Sequence, residues 1–189
     1  MNDLLTESEK RTLLQLAREA LEHGVRRQLP PRLDQDLLTP TLRSKGASFV
    51  TLTKDGQLRG CIGALEPYQS LAEDVREHAA DAALQDYRFL PVRPEELPEI
   101  EIEVSRLTPA RPLDYTSPED LLEKLTPGLD GVILRNGIRR ATFLPQVWEK
   151  LPDKAGFLDH LCVKLGEPPD LWWHKHLDVL VYQVEEFHE

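Results

Sequence analysis

One seven-residue stretch has a loose counterpart later in the chain, sharing only its first glycine and its arginine in place. Gly56-Gln57-Leu58-Arg59-Gly60-Cys61-Ile62 is followed by Gly137-Ile138-Arg139-Arg140-Ala141-Thr142-Phe143, at a constant offset of 81 residues (56 to 137, 59 to 140). Each copy follows a run with strand character, residues 49–53 and 131–134. Each copy opens on the glycine of Asp55-Gly56 or Asn136-Gly137, the dipeptide type that a two-residue hairpin needs at positive φ. A helical pattern follows each hairpin. Leu71, Val75, His78, Ala79, Ala82 and Ala83 form one face, opened by Ser70 and Glu73 as a capping box. Phe157, Leu158, Leu161, Cys162 and Leu165 form the other, stopping at Gly166. A strand closes each unit. Ile100, Ile102 and Val104 alternate with Glu99, Glu101 and Glu103, as a half-buried strand does, and residues 179–184 make the second.

A unit that cannot bury its own apolar face is expected to pack against its copy. The predicted fold is therefore α+β, a duplicated β-hairpin–α–β unit forming one mostly antiparallel or barrel-like sheet with helices packed outside. Chance likeness of two hairpins is the competing reading, since such turns recur in many folds. Repeat one spans about 46–107 and repeat two about 130–187. Ahead of them a helix is expected over 5–23, with Thr6 and Glu9 as its capping box, a stripe from Leu13 to Leu21, and Gly24 at the left-handed position after it. Residues 25–40 read as a surface connection with a short element at 36–38. Ser117-Pro118 opens a short helix carrying Leu121, Leu122 and Leu125. At 189 residues the whole is expected to be a single domain, 1–189.

Composition narrows the function. The formal net charge of −10 argues against a nucleic-acid partner, which needs a basic face to neutralise phosphates. No apolar run approaches the roughly 20 residues of a membrane helix. The start, MNDLLTESEKR, lacks a basic-then-apolar signal, so a cytoplasmic location is expected. The two cysteines, Cys61 and Cys162, make no disulfide framework and are expected to be free thiols.

Strand alternation puts Arg59, Cys61 and Gly63 on one face and Leu58, Gly60 and Ile62 on the other. A guanidinium beside a thiol favours the thiolate, and bare backbone at Gly60 and Gly63 lets another group approach. A reactive thiol or an anion pocket fits this pattern. So does a small apolar Cys in a close-packed strand. Arg140 and Thr142 repeat the Arg59 and Cys61 positions. Two such pairs lining one cleft would bind a carboxylate or phosphate, since Arg forks match both; a solvated basic edge is the plainer alternative. Asp86 and Arg88, two apart, either lock a turn or offer a base beside a cation. His78, on the apolar side of its helix, is a core or rim residue or a proton acceptor for Cys61. His174 and His176 lack metal-motif spacing, so neither a metal nor a cofactor is expected. Trp172 and Trp173 read as core anchors.

From Leu58 to Leu65 the sequence reads LRGCIGAL and resembles the AMMECR-one family, known in microbes as AmmeMemoRadiSam system protein A. ALQDYRFLPV, EIEIEVSRL, DGVILRNGIRRATFLPQVW and FLDHLCVKLG extend the resemblance over about 46–187. Tyr87 stands where the family usually has Pro, and Ala141 where it commonly has Gly. The resemblance implies an α+β fold with two structural repeats and no particular reaction. It implies an accessory or binding component acting with a radical-SAM protein and a MEMO-like protein. It also marks Arg59, Gly60, Cys61, Ile62 and Gly63 as a candidate site, where the arginine pattern above leaves a small anionic ligand as one occupant. The rival reading is a thiol-dependent enzyme using Cys61 on a small acidic substrate, with Asp86 or His78 accepting a proton.

Overall fold

The computed structural model describes residues 4–189. They divide into two compact units, 4–108 with 185–189, and 109–184.

In the first unit, α1 (Glu7–Val25) begins at the expected capping box. Thr6 accepts from the Glu9 amide, and the Glu9 carboxylate accepts from the Thr6 amide at 2.8 Å. The helix runs through Gly24, and the left-handed residue is Arg27, φ 57°. Gly24 instead lies inside the helix against Ala80, where a Cβ would meet ordinary contact at 3.4 Å. The connection carries a 3-10 turn at Gln35–Leu37 and the short helix α2 (Pro40–Arg43). Then come β1 (Lys45–Lys54), β2 (Gln57–Gly63), the short β3 (Gln69–Ser70), α3 (Leu71–Leu84) and β4 (Ile100–Leu107). Leu13, Leu21, Val50, Leu52, Leu71, Val75 and Ile102 fill the core between helices and sheet. Each such residue contributes roughly 1.5–3 kcal/mol by leaving water.

The second unit holds β5 (Arg111–Pro112), α4 (Pro118–Lys124), β6 (Gly131–Asn136), β7 (Arg139–Phe143), α5 (Lys154–Leu165), α6 (Leu171–His174) and β8 (Asp178–Tyr182). Its own core gathers Leu121, Val132, Leu134, Phe157, Leu161 and Trp172. Trp148 and Phe157 stack with centroids 3.6 Å apart. Trp172 is buried, but Trp173 is 45% exposed, so only the first of the pair anchors the core.

The α+β class and the antiparallel pairing are as expected, with one correction. The strands form two sheets rather than one: β2, β1, β4 and the final strand, Val184–His188, in that order with β3 on β1, and β5-β8-β6-β7. Each unit has a helix of its own, α3 or α5, covering one sheet face, so each closes a separate core. The final strand, β9 (Val184–His188), lies beyond the expected stretch and borders β4 in the first sheet. It is tied there by the buried pair of Arg106 and Glu185 at 2.9 Å, and Glu185 also accepts from the Leu5 amide. Among the described residues no helix is long and apolar enough to cross a membrane.

Candidate functional site

The two hairpins are built differently, and the difference decides where Cys61 points. In the first, Asp55 (φ 52°) and Gly56 (φ 71°) take the two left-handed turn positions, and Lys54 pairs with Gln57. Counting regularly from that turn would place Cys61 opposite Val50, a fully buried core residue. The register shifts instead. Thr53 faces Leu58, but Leu52 faces Gly60, so Arg59 is one extra residue, a β-bulge. A one-residue slip moves the following side chains to the other face. Cys61 therefore lies opposite Thr51, half-buried, with the Thr51 hydroxyl 3.3 Å from its sulfur. The strict alternation expected for this strand is broken at the same point, and Leu58, 44% exposed, shares the face of Cys61. In the second hairpin Asn136 pairs with Arg139, so the turn centres on Gly137 (φ 61°) and Ile138 rather than on Asn136-Gly137. No register shift follows.

The bulge also sends Arg59 to partners of its own. Its Nε and Nη2 donate to the two oxygens of Glu96 at 3.1 and 3.2 Å, and Nη1 donates to the Leu90 carbonyl at 2.9 Å. This fork, with the Arg93 amide, holds the Glu96 carboxyl down at about 2. Gly60 is pressed on α3, where a Cβ would lie 2.0 Å from the Ala82 carbonyl oxygen. At Gly63 a Cβ would strike the Phe49 ring at 2.4 Å. Ile62 packs against the first core from its margin.

As an edge strand, β2 has outward N–H and C=O groups without a neighbouring strand. At Cys61 two side chains supply the missing partners. Asp86, just past the end of α3, accepts from the Cys61 amide at 2.8 Å, and Arg88 Nη2 donates to the Cys61 carbonyl at 3.3 Å. Asp86 also accepts from the Arg88 amide at 3.1 Å, from Nε at 2.9 Å and from Nη2 at 2.6 Å. The turn lock is thus formed, and it doubles as a clip on the strand edge. The Arg88 guanidinium beside Asp86, followed by the backbone amides, holds this buried carboxyl far below the usual carboxylate range. Arg88 stays 44% exposed at its side chain, and Tyr87 beside it is 95% exposed.

His78 is engaged elsewhere. It lies 3.2 Å from the fully buried Asp74, whose same oxygen accepts the Ser48 hydroxyl at 2.6 Å. In the second unit the Thr142 side chain is within 3.1 Å of the Tyr182 hydroxyl, and its carbonyl accepts from Lys164 Nζ at 2.9 Å. Arg140 is exposed on β7. Of the expected site residues, then, the structure gathers Cys61, Asp86 and Arg88, and sets Arg59 with Glu96 and His78 with Asp74. Thr51, Glu96, Ser48 and Asp74 were not foreseen. Glu96 carries a signal in its place three residues after Arg93, with Pro94 between, but its meeting with Arg59 is purely tertiary. Among the described residues no three His, Cys, Asp or Glu side chains gather as metal ligands would.

The family model described as AMMECR1 matches residues 14–187. A protein of Methanothermobacter thermautotrophicus is 42% identical over 186 residues, covering 98% of this chain and 96% of that protein. One from Methanopyrus kandleri is 40% identical over 193 residues, covering 100% and 92%. The crystal structure of an uncharacterized protein from Pyrococcus horikoshii shares the fold with a TM-score of 0.76 at 34% identity, covering 98% of this chain and 93% of the other.

Proposed function

Because this chain belongs to the AMMECR1 family, we propose that it is a binding or accessory component that receives an acidic group at the Cys61 edge of β2 and works with a radical-SAM protein and a MEMO-like protein. One observation carries this reading. The groups that could activate Cys61 are taken up inside the fold: Asp86 bonds the strand edge and Arg88, Arg59 bonds Glu96, and His78 is buried 3.2 Å from Asp74. What faces outward is recognition chemistry. Arg88 is half-exposed, with its Nε and Nη2 in the clip and Nη1 outside it. Leu58, Tyr87 and Leu90 are exposed on the same strand and loop. An acidic group takes a guanidinium face well, and exposed aromatic and Leu side chains add contact area.

Co-expression of the tagged chain with a radical-SAM protein and a MEMO-like protein tests the idea. The wild type is expected to co-elute with at least one of them through size exclusion, and a Tyr87→Ser, Leu90→Ser double variant is expected to lose it. Separate elution of all three wild-type proteins removes the reading.

A second reading, a thiol-dependent enzyme, has one observation in its favour. The Thr51 hydroxyl donates to the sulfur at 3.3 Å, and Cys61 is only half-buried, so a reagent can reach it. Alkylation of Cys61 against pH decides it, with the buried Cys162 kept unreactive by folding. A rate whose midpoint is that of a free thiol, about 8.5, ends the activated-nucleophile reading.

A further inference from the structure

The second unit contains a cavity of about 270 Å³ that plays no part in the Cys61 reading and does not depend on it. Its wall is the face of the sheet that carries Arg135 and Asp178. These residues are directly opposed between β6 and β8, so their side chains share a face. Asp114 and the apolar Leu113 and Leu180 complete that side. Opposite polarity comes from ring edges: His176 is stacked on Tyr115 with centroids 4.2 Å apart, and both line the cavity. The stack is fixed, because the buried Tyr115 hydroxyl donates to the Leu177 carbonyl at 2.9 Å and accepts from the Leu177 amide at 2.8 Å.

The charged groups are the informative part. Arg135 and Asp178 face one another across the ladder, yet each side chain is without a hydrogen bond or ion pair among the described residues. An unjoined cation and anion, one strand spacing apart at the mouth of a partly apolar hollow, match a ligand that carries both charges on neighbouring atoms. A guanidinium fork takes a carboxylate in two parallel bonds. A carboxylate accepts from an ammonium. The volume falls just below the roughly 300 Å³ at which drug-sized sites begin, which suits an amino acid and is tight for a nucleotide.

We propose that this cavity binds a small zwitterion of the α-amino-acid class with an apolar side chain. Its carboxylate lies on Arg135, its ammonium on Asp178 with Asp114 near, and its side chain against Leu113 and Leu180. The His176–Tyr115 stack closes the remaining wall.

Titrating the full ¹⁵N-labelled chain with L-leucine tests this, alongside two probes that each lack one charge, N-acetyl-L-leucine and 3-methylbutylamine. L-leucine is expected to move the amide signals of Leu113, Asp178 and Leu180 in a saturable way, with a Kd of about 1 mM or tighter. Each single-charge probe is expected to bind at least about tenfold more weakly, a difference of ~1.4 kcal/mol. Arg135→Met and Asp178→Asn are expected to weaken L-leucine by a similar factor while leaving the rest of the spectrum in place, since both side chains are exposed. Equal binding of all three probes overturns the proposal. So does the absence of saturable shifts at these amides, or unchanged affinity in both variants.

Discussion

Replacing Asp86 by Ala tests the clip on the strand edge. Its carboxylate accepts from four N–H groups, those of the Cys61 amide and of the Arg88 amide, Nε and Nη2. They do not suffer equally when it is removed. Arg88 is 44% exposed, so its guanidinium regains water, and a pair with so exposed a partner adds less than about 1 kcal/mol. The Cys61 amide is held under the buried Asp86 side chain, and leaving such a donor without a partner costs about 1–3 kcal/mol. The expected loss is therefore about 2–3 kcal/mol for Asp86→Ala. Asp86→Asn, which keeps one acceptor oxygen, should lose about half of that. Urea unfolding reads it directly. With a slope of about 2 kcal/mol per molar, the Ala midpoint falls by about 1 M at unchanged slope. Amide exchange supplies the local readout, since the Cys61 N–H should exchange faster in Asp86→Ala even where the global stability is intact. A loss under about 0.5 kcal/mol, or an unchanged Cys61 amide, would refute the claim that Asp86 and Arg88 stand in for a neighbouring strand.

Two further perturbations separate crowding from turn geometry and test the second ion pair. Gly60→Ala forces a Cβ onto the Ala82 backbone oxygen and should cost about 3 kcal/mol, the upper end for overpacking; Gly137→Ala meets no atom within 4 Å but holds φ at 61°, and should cost only about 1–2 kcal/mol. Equal midpoints in urea for the two variants would count against close helix packing at Gly60. Glu96 has a folded-state pKa lowered to about 2 from 4.5 by the Arg59 fork and the Arg93 amide, so its contribution is present above pH 4.5 and lost as pH falls toward 2. The stability gap between wild type and Glu96→Gln should be about 2–3 kcal/mol near neutral pH and should shrink steadily below about pH 4; a gap independent of pH would show that the carboxylate's charge is not what matters.

Much of the local structure can be read from the chain because its causes are local. Thr6 and Glu9 cap α1 whatever lies beyond it, Asp55-Gly56 turns a hairpin by its own φ preferences, and the Ile-Glu alternation of β4 states which face is wet. The reading fails where a distant partner decides. Gly24 is a reasonable helix stop until α1 is packed along α3, where Ala80 and Leu84 meet it and the helix carries on to Val25. Trp173 resembles Trp172 in every sequence respect, and only the tertiary fold buries one and leaves the other in water. The candidate site shows the same division. Cys61, Arg88 and Asp86 stand out as residue types, but that the last two grip the edge of the strand bearing the first depends on α3 bringing its end to that edge.

The sequence by itself determined the α+β class, the two hairpins, the helix and strand that follow each of them, and the segment around Cys61, since periodicity, turn chemistry and capping act over a few residues. Only the tertiary structure decided that the strands part into two sheets and that Arg59 is an extra residue in the ladder. A bulge costs the chain one unpaired residue, and no local preference announces it. It is settled by the packing of Gly60 on α3 and of Arg59 on Glu96, and those contacts turn Cys61 from the core side of the strand to the face of Thr51.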